Sequence, residues 1–139
     1  MATERAEQII ESYFIATESD VMSAVIAVYT LLQDLSFSAS QVSEVSTSVS
    51  ELGMNIVKYV GDGVVTVAKV EEGNVLGVKI VAKDSGCGIA NIEAALADNF
   101  STGGSLGMGL PGVKRMMDEF EVESSPDNGT IVTAIKWKE

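Results

Sequence analysis

The chain has 139 residues, a net charge of -11, no histidine and one cysteine, Cys87. The missing histidine and lone thiol exclude a zinc centre and an internal disulfide, and the acidity excludes a nucleic-acid surface, which needs a basic patch for phosphates. The length fits a single domain over residues 1–139, no apolar run is long enough to span a membrane, and Met1-Ala2-Thr3-Glu4 lacks signal-peptide character, so a cytoplasmic location is expected.

Ser12 to Ala16 is rich in β-formers and predicts a first strand. Thr17 to Asp20 supplies helix-capping residues, and Val21, Ala24, Val25, Val28, Leu31, Leu32 and Leu35 then recur at helical spacing, predicting a helix to about Leu35. Ser38-Ala39-Ser40-Gln41 matches a capping box. Val42, Val45, Val49, Leu52 and Ile56 follow at spacings of 3, 4, 3 and 4, predicting a second helix with these residues on the core side. Gly61-Asp62-Gly63 breaks that helix. Val64 to Val70 and Val75 to Lys83 read as a hairpin about Glu71-Glu72-Gly73-Asn74, with Leu76, Val78, Ile80 and Ala82 on one face. A glycine-rich segment spans Gly86 to Gly112. A helix after Pro111 is expected to carry Val113, Met116, Met117 and Phe120, and two strands should close the chain around Pro126-Asp127-Asn128-Gly129. Antiparallel hairpins segregated from helices predict an α+β two-layer sandwich.

Four signals within this frame carry chemistry. Glu51, Asn55 and Lys58 form one stripe at the rim of the second helix. A carboxylate can take a proton, an amide oxygen can ligate Mg²⁺, and a lysine can offset phosphate charge. An ordinary polar helix face would look the same. Asp84-Ser85-Gly86-Cys87-Gly88 ends a predicted strand, where glycines let a ligand approach the backbone closely; a plain turn would also fit. Gly103 to Gly112 feeds a helix, and its free N–H groups could meet phosphates, although it is neither a Walker A loop nor a Rossmann turn. A surface loop is the alternative. Asn128-Gly129-Thr130 opens the last strand and says little alone.

Taken together, the signals resemble a known family. Glu51-x-x-x-Asn55-x-x-Lys58 resembles the N box of the GHKL ATP-binding fold, Asp84-x-Gly86-x-Gly88 its G1 box, Gly107-x-Gly109-Leu110 its G2 box, and Gly129-Thr130 its last short motif. SELGMNIVKY, DSGCGI, FSTGGSLGMGLPGVKRMMDEF and GTIVTAIKW are similar to the RsbT family of switch-protein serine/threonine kinases. The resemblance implies a mainly antiparallel sheet with helices on one face. It implies ATP and Mg²⁺ as cofactors, with Asn55 holding Mg²⁺ between the phosphates and Lys58 near them. Asp84 would accept a hydrogen bond from the adenine amino group, with Gly86 and Gly88 flooring the base pocket and Thr130 near the base. Gly104, Gly107 and Gly109 would belong to the lid and phosphate loop, so residues 98–110 are expected to form a lid. Glu51 would be the general base. Cys87 stands where such a G1 box often carries another small residue, and is expected to be a buried thiol and not a redox sensor.

The family implies phosphorylation of Ser or Thr on STAS-domain partners in a stress-signalling partner switch, the stressosome, after which a downstream phosphatase or other regulator can be activated. Neither nucleic acid nor membrane is an expected partner. Histidine kinases, topoisomerases, Hsp90-type chaperones and mismatch-repair ATPases share the fold. This chain lacks a phosphoacceptor histidine and has no room for the extra domains of the others. The alternative reading is an anti-sigma factor that sequesters a sigma subunit. A phosphatase co-activator whose kinase site acts only as a switch is a third.

Overall fold

A computed structural model describes residues 4–84, 86, 109–125 and 129–139. Strand β1 (Arg5–Ile15) is followed by α1 (Glu18–Asp34), α2 (Ala39–Tyr59), the β2/β3 hairpin (Gly63–Glu72 and Val75–Asp84), α3 (Gly109–Met116) and the β4/β5 pair (Glu119–Ser125 and Gly129–Trp137). The five strands form one antiparallel sheet in the order β1-β2-β3-β5-β4. The alternation along each strand sends Val65, Val67, Val78, Ile80, Ala82, Val132 and Ala134 to one face, and the buried residues of α1, α2 and α3 pack there. The predicted α+β two-layer architecture is the observed one.

Both long helices start where local chemistry says they should. Thr17 caps α1 through a capping box: its Oγ1 accepts from the Asp20 amide at 3.1 Å, and Asp20 Oδ2 accepts from the Ala16 and Thr17 amides at 2.9 and 3.0 Å. Those two backbone donors hold the Asp20 carboxyl below its ordinary range. Ser38 and Gln41 make the predicted capping box on α2. Val42, Val45, Val49, Leu52 and Ile56 are all buried, as their spacing required. Gly53, next to Leu52, brings α1 close, since a Cβ there would sit 2.9 Å from Val21 Cγ1.

Three elements differ from expectation. β1 begins at Arg5, well before Ser12, because it pairs along nearly all of β2; its early residues are exposed and carry no apolar alternation to announce a strand. The β2/β3 turn is tighter than predicted: Glu71 and Glu72 remain in the strand and Gly73, at φ 63°, turns the chain. The helix near Pro111 starts at Gly109 and stops at Met116. Met117 is still buried, but the Asp118 amide already donates to the Ile135 carbonyl at 2.9 Å, so Phe120 reaches the core from β4 and not from a helix.

Polar struts lock α2 to the end of the sheet. Gln41, almost fully buried, donates from Nε2 to the Trp137 carbonyl at 2.7 Å and accepts from the Glu139 amide at 3.3 Å. Lys136 is buried on the helix side of β5. Its Nζ donates to the Met116 carbonyl at 2.7 Å and pairs with Glu44 at 3.1 Å, and Asp118 lies 3.7 Å away. One cation thereby joins α2, the C-terminus of α3 and the last strand, at the helix end where positive charge is favourable.

Candidate active site

The end of β3 lies beside the start of β5, and this adjacency builds the site. Asp84 Oδ1 accepts from the Gly86 amide at 3.0 Å and from the Thr130 amide at 3.2 Å. The first bond closes a local turn; the second crosses to the neighbouring strand. Two backbone donors on one oxygen fix the carboxylate, and among the described residues Oδ2 has no partner. Thr130 is buried, and its Oγ1 lies 2.9 Å from Ser124 Oγ on β4. Gly129, at φ 78°, starts β5 in a conformation that only glycine adopts freely.

The C-terminal end of α2 is pressed against this corner. A Cβ on Gly86 would stand 2.9 Å from Val60 Cγ1, just past the helix, so a side chain at 86 would push α2 away. Gly63 faces Asp84 across the β2/β3 ladder; a Cβ there would be 2.5 Å from the Lys83 carbonyl oxygen and 3.1 Å from Ile56. Sequence reading took Gly63 only as a helix breaker and passed over Val60. An apolar residue directly after Lys58-Tyr59 was the available signal for Val60.

Glu51 and Asn55 are half-buried on the C-terminal half of α2, and Lys58, one turn further, is exposed. Among the described residues, the side chains of Glu51 and Asn55 have no hydrogen-bond partner. The structure thus joins Asp84, Gly86 and Thr130 by hydrogen bonds, and it brings the helix that carries Glu51, Asn55 and Lys58 alongside through Ile56 and Val60. Gly109 lies at the start of α3, buried, at φ 49°. Gly88, Gly104 and Gly107, with Cys87 and lid residues 98–108, lie outside the described residues, as do turn residues 126–128.

This arrangement can recognise a polar, flat group. The fixed carboxylate can accept from an N–H donor; Thr130 beside it is buried, and Val60 packs where a side chain on Gly86 would begin. Among the described residues no group of three or more Asp, Glu, Cys or His side chains could enclose a metal. Two concavities among the described residues, about 220 and 600 Å³, lie elsewhere, on the outer sheet face and between α1 and α2.

Residues 14–136 match the model of the histidine kinase-like ATPase domain. The chain belongs to that family. It is 42% identical over 123 residues to the serine/threonine-protein kinase RsbT of Bacillus subtilis strain 168, covering 88% of this chain and 92% of the relative. It is also 34% identical over 131 residues to an anti-sigma F factor of Geobacillus sp. strain WCH70, covering 89% and 88%. An anti-sigma F factor of Thermoanaerobacter sp. strain X514 is 32% identical over 103 residues, covering 70% and 71%. The family match contains β2 to β4, both long helices and all but the last residue of β5, so every predicted box falls inside it. Among the described residues no helix is long and apolar enough to cross a membrane.

Proposed function

We propose that this chain is a protein serine/threonine kinase that uses Mg-ATP and acts on a STAS-domain partner in the cytoplasm. The observation that carries the reading is the Asp84 carboxylate, held by two backbone amides through Oδ1, with Oδ2 unpartnered among the described residues. Oδ2 would accept from the adenine amino group. Guanine offers an oxygen there, which would face the carboxylate and leave it unpaired, so ATP should bind far better than GTP. The 42% identity to an RsbT kinase supports the choice of a hydroxyl acceptor.

The residue roles are those that the family resemblance implies. Asn55 would supply an amide oxygen to Mg²⁺, Lys58 would offset phosphate charge, and Gly104, Gly107 and Gly109 would lend backbone donors. Gly86 and Gly88 would lie under the base and Thr130 beside it. Bound Mg²⁺ would neutralise charge on the phosphates. Glu51, one turn before Asn55, would take the proton of the acceptor hydroxyl. Phosphoryl transfer depends chiefly on positioning and charge, so the base need not supply the whole acceleration. Phosphorylation would then switch partners within a stressosome and free the kinase to engage a downstream regulator.

The deciding experiment incubates labelled ATP and purified chain with candidate STAS proteins and identifies the phosphorylated residue. Phosphoserine or phosphothreonine is expected. Transfer to aspartate or histidine, or none to any partner, would overturn the reading. The anti-sigma F relatives favour a second reading, sequestration of a sigma subunit. Stoichiometric binding of a sigma factor without transfer to any STAS protein would select it.

A further inference from the structure

The helix-facing rows of three adjacent strands end in polar residues at one end of the sheet. On β3 the buried Ile80 and Ala82 lead to Asp84. On β5 Thr130 precedes the buried Val132 and Ala134, and on β4 Phe120 and Val122, packed against the core, lead to Ser124. Alternation puts Asp84, Thr130 and Ser124 on the same face, side by side across β3, β5 and β4. The proposed nucleotide site uses Asp84 and Thr130 and leaves Ser124 without a role. Ser124 is half-buried, and its Oγ bonds both to the Gly129 carbonyl, at 3.3 Å, and to Thr130 Oγ1, at 2.9 Å.

Proton counting sets the direction of these bonds. A hydroxyl has one proton and a carbonyl oxygen can only accept, so the bond to Gly129 uses the proton of Ser124. The proton between Ser124 and Thr130 is then Thr130's. The Thr130 amide is already committed to Asp84 Oδ1, as is the Gly86 amide. These three donors, two amides and one hydroxyl, are thus spent inside the corner. What the corner keeps for a ligand, among the described residues, is acceptors: Asp84 Oδ2 and the lone pairs of Thr130 Oγ1. Such a set pairs with N–H groups and leaves a ligand's carbonyl oxygen without a donor.

We infer that Ser124 is a positioning residue for base selection: by taking the Thr130 hydroxyl proton it holds Thr130 as a second acceptor beside Asp84, so the corner admits the 6-amino group of a purine and rejects a 6-oxo group. The inference rests on the reading of this corner as an adenine site, and adds to it a residue of β4 that acts through Thr130. Without Ser124 the Thr130 hydroxyl is released to turn and donate, and a donor is what a 6-oxo purine needs. The Asp84 carboxylate has no proton to turn, so its own share of the discrimination persists.

Calorimetry with Mg-ATP and Mg-ITP, whose bases carry a 6-amino and a 6-oxo group, tests it. Ser124→Ala should narrow the ATP-to-ITP affinity ratio on the order of threefold to tenfold, the worth of one neutral hydrogen bond. A loss of stability alone leaves that ratio unchanged, because both nucleotides meet the same folded chain, and urea unfolding measures the loss separately. Ser124→Thr keeps the hydroxyl and should keep the wild-type ratio. In Thr130→Val the acceptor is gone, and adding Ser124→Ala should change the ratio no further. An unchanged ratio in Ser124→Ala, beside a wild-type chain that prefers ATP, overturns the inference and leaves the nucleotide site standing. So does an equal loss in Ser124→Ala and Ser124→Thr, or an added effect of Ser124→Ala on the Thr130→Val background. A wild-type chain that binds Mg-ITP as well as Mg-ATP would overturn the adenine reading and the inference together.

Discussion

In its first half, α2 ties Gln41 to Trp137 and Glu139, Glu44 to Lys136, and Ser48 to the Glu44 carbonyl at 2.8 Å, while the buried Ser46 hydroxyl has no hydrogen-bond partner among the described residues. In its second half, Glu51 and Asn55 have no hydrogen-bond partner among the described residues, while Leu52 and Ile56 beside them are buried, as Val42, Val45 and Val49 are in the first half. The apolar stripe is continuous and only the use of the polar positions changes. A polar group left unsatisfied at a half-buried rim loses hydration for no return in stability, so such positions are where a ligand is expected. The first half anchors the helix; the second presents it.

This contrast can be broken by substitution. Glu51→Ala should lower the transfer rate by about 10²- to 10⁴-fold while the melting temperature and ATP affinity stay put. A loss of stability instead would move Glu51 to the anchoring half. Asn55→Ala should remove most of the dependence of ATP binding on Mg²⁺, read by calorimetry across a Mg²⁺ series; unchanged dependence would void the proposed ligand.

The anchoring half should respond in the opposite way. Lys136→Met leaves the Met116 carbonyl without its donor and Glu44 without its cation. Glu44 is 36% exposed and can turn to water, so the loss should be about 2–3 kcal/mol, below the roughly 3–5 of a fully buried pair. Gln41→Leu should lose about 1–2 kcal/mol by orphaning the Trp137 carbonyl. Urea unfolding measures both, and ATP affinity should be unaffected in Gln41→Leu. The smallest effect belongs to the α1 cap. Thr17→Ala should destabilise by about 1 kcal/mol. Asp20 adds a pH signature: its carboxyl titrates below the ordinary 3.8, so its stabilisation is present above that value and is lost as pH falls through the lower folded value. Asp20→Asn should flatten the urea midpoint against pH in that acid range.

Much of this contrast was legible before folding was considered. The 3, 4, 3, 4 spacing from Val42 to Ile56 identified the buried stripe, and the offset of Glu51 and Asn55 from it leaves them half-buried at its rim. What the spacing could not supply was which polar residues are anchored. Glu44 looks no different in sequence from Glu51, and the capping box at Gln41 says nothing of its long-range bond; their partners lie on β5, more than ninety residues away. β1 was underestimated for the same reason, since Arg5 to Glu11 become a strand by pairing with β2 and not by their own pattern. The end of α3 was misplaced because the Asp118 amide leaves the helix for Ile135, a bond no local periodicity contains.

The sequence by itself determined the starts of α1 and α2, the core stripe of α2 and the central hairpin, because capping and the 3.6- and 2-residue periods need only near neighbours. The tertiary structure alone decided that β5 inserts between β3 and β4, bringing the Thr130 amide to Asp84 across 46 residues of chain. It also decided that Lys136, a charged residue on a strand, faces inward. A strand chooses its neighbours by hydrogen bonding and burial over the whole sheet, and that choice turns Asp84 from a strand-ending residue into a fixed acceptor.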